Sequence, residues 1–291
     1  MKRIATIGFF DGVHRGHRYL FEHLQSEAKR RGLAPLIITF DVHPRTVVQS
    51  SYVPQLLSSL DERRALLAQY GEVEVLPFGE VQPLTAAQFM QTIRDRYGVS
   101  VLLMGYDHRF GSDRLTNPSD YRAIGASLGI EVLTMDEYKD AAGHVSSTQI
   151  RAALAEGHVE EAQALLGYPY TLSGQVVHGK AIGRTIGFPT ANIEPWKRKA
   201  LPKYGVYTCL AETGSITMPA IVNIGVQPTI PSGKVTVEAH ILNNCSALYG
   251  QKIRLTLLKM LREERRFDST AELKTQLEND RNEAMKLFNM A

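Results

Sequence analysis

The sequence lacks several features that would assign it at once to particular classes of protein. Its 291 residues include only two cysteines, Cys209 and Cys245, which are too few for a disulfide framework and lack the CxxC spacing of a zinc site. No apolar run approaches the about 18 residues of a membrane-spanning helix, and the strand after Met1 leaves no room for a signal peptide. We therefore expect a chain that begins at Met1 and works in a reducing cytoplasm.

Charge of one sign is also scarce. The formal net charge is +3 at pH 7. Acidic and basic residues are interspersed along the chain, and no basic tail or stripe favours nucleic acid as a partner. The short basic groups at 197–199 and 262–266 are explained as ordinary solvated surface. The composition therefore favours neither nucleic acid nor a membrane as partner, is compatible with anionic small ligands, and leaves the oligomeric state open.

What the sequence does contain is a glycine-rich decapeptide, GFFDGVHRGH, at residues 8–17. It joins an apolar strand at 4–7 directly to an amphipathic helix predicted over His17–Arg31. Glycines allow the backbone to turn sharply and to approach a ligand closely. The three in this segment are Gly8, Gly12 and Gly16.

Two histidines of the decapeptide, His14 and His17, lie three residues apart where the predicted helix begins. Unpaired N–H groups and the helix dipole favour anions at that end of a helix. Two histidines in a first turn are otherwise simply solvated polar residues. Because they occur together with the glycines and Asp11, we interpret the segment as a phosphate-binding site.

The first half of the chain alternates strand-like and helix-like segments, which is typical of a parallel sheet covered by helices. The further predicted strands are Leu36–Phe40, Val73–Phe78, Val99–Gly105 and Glu131–Met135. The further predicted helices are Thr85–Tyr97 and Pro118–Leu128, the second with Asn117 as its N-cap.

After Arg151 the pattern changes to two short helices, the first reaching Glu156 and the second spanning Val159–Leu166. Strand-like segments then follow one another without helices, which predicts an antiparallel barrel. These segments are Leu172–Val177, Tyr204–Ala211, Ala220–Ile224, Val235–Leu242 and Ile253–Leu258. A last helix is predicted over Ser269–Phe288, opened by a capping box with Glu272. The predicted organisation is a domain at 1–158, a helical linker at 159–169 and a second domain at 170–291.

The second half carries its own glycine-rich stretch, GKAIGRTIGFPTANI, at residues 179–193. Its glycines are Gly179, Gly183 and Gly187, and Pro189 fixes the backbone just before Thr190 and Asn192. A hydroxyl and an amide oxygen suit Mg²⁺, which takes a few protein oxygens together with water and phosphate. A long hairpin would explain the same pattern equally well.

A clean alternation marks the strand Val235–Leu242. Val237 and Ala239 belong to the apolar row, whereas Glu238 and His240 belong to the opposite row. By spacing alone, Glu238 is a solvent-facing carboxylate.

These motifs resemble those of a known family. Strand, HxGH and helix form the ATP-binding signature of the nucleotidyltransferase superfamily, and GFFDGVHRGH is similar to the FMN adenylyltransferase half of the prokaryotic bifunctional riboflavin kinase/FAD synthetases. That family carries a second phosphate motif, and SSTQIR at 146–151 resembles it in sequence and order. PTAN at 189–192 resembles the flavokinase signature.

The resemblance implies an N-terminal Rossmann-like nucleotidyltransferase domain, with a parallel sheet and helices, followed by a flavokinase-type antiparallel β-barrel with a C-terminal helix. The barrel would phosphorylate riboflavin to FMN with ATP, and the first domain would adenylylate FMN to FAD with release of pyrophosphate. The implied ATP-binding residues are Gly8, Phe9, Asp11, Gly12, Gly16, Ser147, Thr148, Arg151, Gly179, Gly183 and Gly187. His14 and His17 would stabilise phosphate during adenylyl transfer, and Glu238 would act as general base of the kinase.

The resemblance also implies Mg²⁺ at Thr190 and Asn192. It places Asp107 and Phe110, in MGYDHRFGSDR at 104–114, against the flavin, and HPR at 43–45 is a weaker match to the same pocket. The chain departs from the family pattern at Gln227 and at 243–247, where acidic residues usually precede LYG, so flavin or nucleotide contacts are expected to differ there.

Two alternatives remain open at this point. In one, only the flavokinase is active and the adenylyltransferase is degenerate, although its motif residues are all present. In the other, the barrel is a non-catalytic module that binds RNA beside a nucleotidyltransferase domain, which would require basic surface interleaved with exposed aromatic residues.

Overall fold

The structure is a computed structural model that describes residues 1–49, 51–140, 143–179, 183, 186–226, 235–242 and 248–289. Contacts divide the chain into two compact units, Met1–Ser147 and Thr148–Ala291. Within the described ranges, no helix is both long and apolar enough to cross a membrane. The predicted linker at 159–169 stays a prediction, since the division by contacts falls at the start of a helix.

The first unit is built on a five-stranded parallel sheet with the order β3-β2-β1-β4-β5. Its strands are β1 (Arg3–Ile7), β2 (Ala34–Phe40), β3 (Glu72–Leu76), β4 (Val99–Met104), β5 (Glu131–Thr134) and the paired β6 (Lys139–Asp140) and β7 (Gly143–His144). Its helices are α1 (Arg15–Arg31), α2 (Pro44–Val48), α3 (Leu60–Leu67), α4 (Phe78–Val81), α5 (Ala86–Tyr97) and α6 (Pro118–Leu128).

Apolar side chains cover both faces of this sheet, as the continuous apolar runs predict. Ile7 and Ile38 pack in one core with Phe89 of α5. Ile4 and Ile37 pack in the opposite core with Phe21 of α1. Burying such a side chain contributes about 1.5–3 kcal/mol. The two cores fix the strand ends from which the loops of the first unit emerge.

The predicted strands and helices of the first unit are confirmed, with differences at their ends. Helix α1 begins at Arg15, two residues before the predicted start. Strand β3 ends at Leu76, because Pro77 interrupts it and Phe78 begins α4. Asn117 occupies the N-cap position of α6, but its side chain makes no capping hydrogen bond to the described residues. The short helices α2, α3 and α4 were not expected from the sequence.

The second unit contains a closed six-stranded antiparallel barrel with the order β10-β11-β12-β9-β8-β13. Helix α7 (Ser147–Ala155) begins at the last residue of the first unit. The other elements of the second unit are α8 (Val159–Leu166), β8 (Thr171–Val177), β9 (Ala191–Pro195), β10 (Gly205–Thr213), β11 (Ile216–Val226), β12 (Val235–Ile241), β13 (Lys252–Glu263) and α9 (Thr270–Leu287). Pairing of β10 with β13 closes the barrel.

The barrel and its terminal helix confirm the predicted architecture, and β9 is a strand that the sequence analysis treated as a rigid segment. Val237 and Ala239 are buried as the alternation predicts. At the start of α9 the capping box is half formed, because the Ser269 hydroxyl accepts from the Glu272 N–H at 3.1 Å. The Glu272 carboxylate instead accepts from the N–H of Asp268 at 3.3 Å.

The structure describes one of the two cysteines. Cys209 is buried inside the barrel, and burial raises the pKa of its thiol. A thiol of that kind is unreactive. Cys245 lies outside the described residues.

Candidate active sites

The loop after β1 is held in a strained conformation. Phe10 and Val13 adopt left-handed backbone angles, with φ of 55° and 42°, and Gly12 has φ of 75°. Each such non-glycine residue costs on the order of 1–3 kcal/mol, so the surrounding structure must enforce it. Phe10 and Val13 are both buried, and the Phe10 ring packs edge-on against Phe21 at 4.9 Å. Apolar packing therefore holds the turn that presents the HxGH histidines.

Asp11 anchors the same loop to the segment that precedes α3. Its buried carboxylate accepts from the backbone N–H groups of Leu57 at 2.9 Å and Ser58 at 3.1 Å. The Ser58 hydroxyl in turn accepts from the N–H of Gly12 at 3.1 Å. Ser147 completes the arrangement, because its hydroxyl donates to the Asp11 carbonyl at 2.9 Å. The structure thus gives Asp11 a structural role, and its contact with ATP stays a prediction.

The two HxGH histidines stack face to face at the start of α1. Their ring centroids are 3.6 Å apart and the rings are inclined by 20°. Burial, together with the neighbouring His14, holds the pKa of His17 well below its usual value, so His17 is neutral at pH 7. Its Nδ1 is buried without a hydrogen-bond partner among the described residues. A side chain at Gly16 would press on the His14 ring at 3.3 Å, which explains the glycine between them.

Arg63 is a residue of this site that sequence reasoning missed. It is 1% exposed, its guanidinium lies 4.0 Å from the centroid of the Phe9 ring, and it donates to the Phe40 carbonyl. Burial lowers its pKa to about 10, and the carboxylates of Asp11 and Asp41 oppose that shift. Arg63 therefore keeps its charge at pH 7 beneath the loop. Its position in α3, distant in sequence from every motif, gave no signal.

The loop after β4 lies at the carboxyl end of the sheet, where open α/β folds bind ligands. Asp107 is exposed there. The Phe110 ring packs between Tyr121 and Phe89, at 4.8 and 5.3 Å, and the Tyr121 hydroxyl donates to the Phe110 carbonyl at 2.9 Å. Phe110 therefore packs against the hydrophobic core of the first unit and anchors the loop there. A direct flavin contact stays a prediction for both predicted residues.

A second aromatic group lies beside the first loop. The Phe9 ring packs edge-on against His43 at 4.8 Å, and His43 caps α2 by accepting from the N–H of Arg45 at 3.2 Å. The HPR segment is thus brought next to the decapeptide.

The remaining predicted residues of the adenylyltransferase motif begin α7. Ser147 contacts the decapeptide through its hydrogen bond to the Asp11 carbonyl. Thr148 and Arg151 belong by their contacts to the second unit, where Arg151 Nη2 donates to the Thr148 hydroxyl at 3.4 Å.

In the second unit, strand register builds a row of polar side chains on the outer face of the barrel. Glu238 of β12 lies directly opposite Asn192 of β9 and Asn223 of β11. Residues opposite one another in antiparallel strands share a face and have Cβ atoms about 5 Å apart. The Thr190 hydroxyl lies 3.5 Å from Glu238 Oε2. The structure therefore brings Glu238 together with Thr190 and Asn192, from which it is 46 or more residues distant in the sequence.

Glu238 is not simply solvent-facing, as its spacing alone predicted. It is half-buried and lines a cavity of about 1180 Å³ between the outer face of the barrel and α9. Ligand sites commonly enclose about 300–1,000 Å³. Arg262 is fixed on the wall by Asp280, whose carboxylate accepts from its guanidinium at 2.8 Å. Thr190, His240 and Phe188 also line this cavity.

The glycines of 179–193 make close approaches that a side chain would prevent. A Cβ on Gly179 would lie 2.0 Å from Asn192 Nδ2, and one on Gly183 would lie 2.1 Å from the Phe188 carbonyl oxygen. Gly187 has φ of 85°, which favours glycine. Residues 180–182 and 184–185 of this stretch lie outside the described residues, as do the departures at Gln227 and 243–247.

Comparisons with known proteins agree with this division. The FAD synthetase family model matches residues 1–149, and the riboflavin kinase model matches residues 166–288. The bifunctional riboflavin kinase/FMN adenylyltransferase of Escherichia coli K12 is 36% identical over 292 residues, which cover 99% of this chain and 93% of the relative. The protein of the same name from Bacillus subtilis 168 is 33% identical over 298 residues, with the same coverage of both chains.

A solved structure has the same architecture over almost the whole chain. It is a Streptococcus pneumoniae protein that bears the name macrolide-efflux protein, with a TM-score of 0.87 and 32% identity, covering 97% of this chain and 93% of that one. The two family models and the curated relatives show that the chain belongs to the bifunctional riboflavin kinase/FMN adenylyltransferase family.

Proposed function

We propose that each unit carries one of two successive reactions: the second phosphorylates riboflavin to FMN with ATP, and the first adenylylates FMN to FAD with release of pyrophosphate. The observation that carries the kinase assignment is the meeting of Glu238 with Thr190 and Asn192 at one cavity. Glu238 accepts the proton of the ribityl 5′-hydroxyl as that oxygen attacks the γ-phosphorus. The Glu238 carboxylate can contact a substrate in the cavity, because it lines that cavity from strand β12.

The residues around Glu238 suit Mg²⁺. No cluster of three histidine, cysteine or acidic residues that could hold a metal occurs among the described residues. Mg²⁺ does not need one, because it commonly takes one or two protein oxygens and completes its shell with water and substrate phosphate. The Thr190 hydroxyl and the Asn192 amide oxygen supply such ligands from one end of β9. When bound, Mg²⁺ neutralises charge on the transferring phosphate.

In the first unit, adenylyl transfer needs no protein nucleophile, because the FMN phosphate itself attacks the α-phosphorus of ATP. Alignment and charge stabilisation then provide catalysis. The stacked His14 and His17 lie at the N-terminal end of α1, where phosphate oxygens are favoured. Neutral His17 has one ring N–H to donate, which suits a leaving pyrophosphate. Ser147, Thr148 and Arg151 contribute hydroxyls and a guanidinium on the second phosphate motif.

For the flavin side, we assign Asp107 a contact with FMN and Phe110 the role of holding the loop that presents it. Phe9 and His43 supply an aromatic wall beside the decapeptide. The glycines of both motifs and the backbone of Phe9 give close access to ATP phosphates. Substrates are thus riboflavin, FMN and ATP, with neither nucleic acid nor a membrane as partner. A cytoplasmic location is consistent with the low cysteine content and with the buried, free thiol of Cys209.

Two alternatives are disfavoured. The riboflavin kinase model matches the barrel, which argues against a non-catalytic RNA-binding module. Stacked His14 and His17 on an intact loop argue against a degenerate adenylyltransferase.

The test supplies the purified protein with riboflavin, ATP and Mg²⁺ and separates the flavins by chromatography. We expect both FMN and FAD. Glu238→Ala should abolish FMN formation from riboflavin but keep FAD formation from supplied FMN, and His17→Ala should do the reverse. Glu194→Gln, which changes an exposed carboxylate on neighbouring β9, is the control and should keep both activities. A Glu238→Ala kinase rate within a few-fold of wild type would disprove the base assignment, and absence of any flavin product would disprove the function.

A further inference from the structure

The segment Pro189–Thr190 lies just where backbone pairing between β9 and β12 stops. The ladder pairs Ile193, Asn192 and Ala191 with Val237, Glu238 and Ala239. Beyond Ala191 no further pair of this ladder is formed among the described residues, and Pro189 has no N–H to donate. The position of the Thr190 hydroxyl therefore needs support from something other than the sheet.

His240 supplies that support. It follows Glu238 by two residues on β12, so both side chains lie on the outer face of the barrel. Its Nδ1 is 2.9 Å from the Pro189 carbonyl oxygen, and its ring packs against Phe188 with centroids 5.3 Å apart. Because a carbonyl oxygen only accepts, Nδ1 carries the proton and donates.

The chemical state of His240 is compatible with a fixed donor. Burial lowers the pKa of the half-buried imidazole, more than the Pro189 bond raises it, and Arg281 lowers it further. The neutral ring therefore keeps its proton on Nδ1. Arg281 of α9 also places its guanidinium 5.6 Å from the Phe188 ring centroid, so the turn before Thr190 is held on two sides.

We propose that His240 is a positioning residue of the kinase, which extends the β9–β12 ladder by one side-chain hydrogen bond and so sets the Thr190 hydroxyl opposite Glu238. This inference rests on the proposed kinase function of the cavity. His240 acts through Pro189 and Thr190 on the phosphate and metal side of the reaction. Riboflavin binding depends on it far less than the rate of phosphoryl transfer does.

The test compares two substitutions that separate the hydrogen bond from the ring. His240→Phe keeps an aromatic ring without a donor, whereas His240→Asn keeps a donor N–H on the atom attached to Cγ. We expect His240→Phe to lower kcat for FMN formation by on the order of tenfold to a hundredfold, the effect of a small misplacement. The KM for riboflavin should change little, and the KM for Mg·ATP should rise. His240→Asn should restore kcat to within a few-fold of wild type.

Controls make each outcome decisive. FAD formation from supplied FMN reports on the first unit and should be unchanged, and His158→Phe, at the exposed histidine just before α8, should keep both activities. If His240→Phe does not fold by circular dichroism, His240→Leu takes its place in the same comparison. Equal kcat in wild type and His240→Phe would overturn the proposal, as would an equally large loss in folded His240→Asn. Failure of the wild type to form FMN would instead overturn the kinase function.

Discussion

The two sites of this chain hold their reactive groups in different ways. In the first unit, a short strained loop is held from beneath by buried polar groups, with Asp11 on backbone amides and Arg63 under Phe9. In the second unit, the reactive groups lie on adjacent strands, and register places Glu238 opposite Asn192. The first site therefore depends on a strained turn and a few buried contacts that hold it, whereas the second depends on the register of paired strands. Substitutions beneath the loop and along the barrel should accordingly fail in different ways.

The largest effect is expected for Asp11→Ala. Removing the carboxylate leaves the N–H groups of Leu57 and Ser58 without their acceptor, at about 1–3 kcal/mol for each buried group. The strained loop should relax, and FAD formation from FMN should fall by on the order of a hundredfold. Steady-state assays of both activities check this, with FMN formation from riboflavin unchanged. Asp61→Ala, at an exposed carboxylate of α3, is the control. Retention of FAD formation in Asp11→Ala would show that the loop does not need its anchor.

A smaller effect in the other unit is expected for Gly179→Ala. The new Cβ would lie 2.0 Å from Asn192 Nδ2, so the amide must move away from its place beside Glu238. FMN formation should fall by on the order of tenfold, since displacement by about 1 Å can reduce rates a hundredfold. Kinetics at varied Mg²⁺ and ATP measure this loss. Gly79→Ala, where a Cβ meets open space, should leave both rates unchanged, and equal rates for Gly179→Ala and wild type would remove Asn192 from the site.

Arg63→Met should lower FAD formation only several-fold. The apolar side chain fills a similar volume, but it removes the positive charge that faces the buried Asp11 carboxylate, so we also expect a lower melting temperature. What is lost is the charge beneath Phe9 and the bond to the Phe40 carbonyl. Thermal unfolding and adenylyltransferase kinetics are compared with those of Arg64→Met, an exposed neighbour on α3. A large drop in the melting temperature with an unchanged rate would make Arg63 a stabilising residue and nothing more.

The smallest effect concerns pH. Burial lowers the pKa of His108 to about 4 from its usual 6.5, and Asp107 opposes the shift. The unfolded chain therefore binds this proton more readily, so this contribution to stability is full above pH 6.5 and falls as the pH drops toward 4. His108→Asn should lose less stability than wild type between pH 7 and pH 5, as measured by the temperature at which adenylyltransferase activity is lost. Parallel losses in the two proteins would contradict this reading.

The sequence predicts contiguous parts of a site better than parts that are brought together by packing or by strand register, and the two sites differ in this respect. The decapeptide at 8–17 is contiguous, so glycines, histidines and the following helix could be predicted together. Arg63 could not, because its place under Phe9 depends on how α3 packs. In the barrel, alternation correctly put Glu238 off the core face, yet its cavity depends on α9 and on the register of β9. Strand β9 itself is short, and the Pro189–Thr190 segment just before it resembles a turn.

The central claim, that the two reactions use separate sets of residues, is tested most directly by mixing two variants that each lack one of the activities. Glu238→Ala and His17→Ala are each incubated with riboflavin, ATP and Mg²⁺, first alone and then together. The account predicts FMN but no FAD from His17→Ala, no product from Glu238→Ala, and FAD from the mixture, because FMN made by one protein is adenylylated by the other. A mixture that forms no FAD, although each variant keeps its remaining activity on its own substrate, would contradict it.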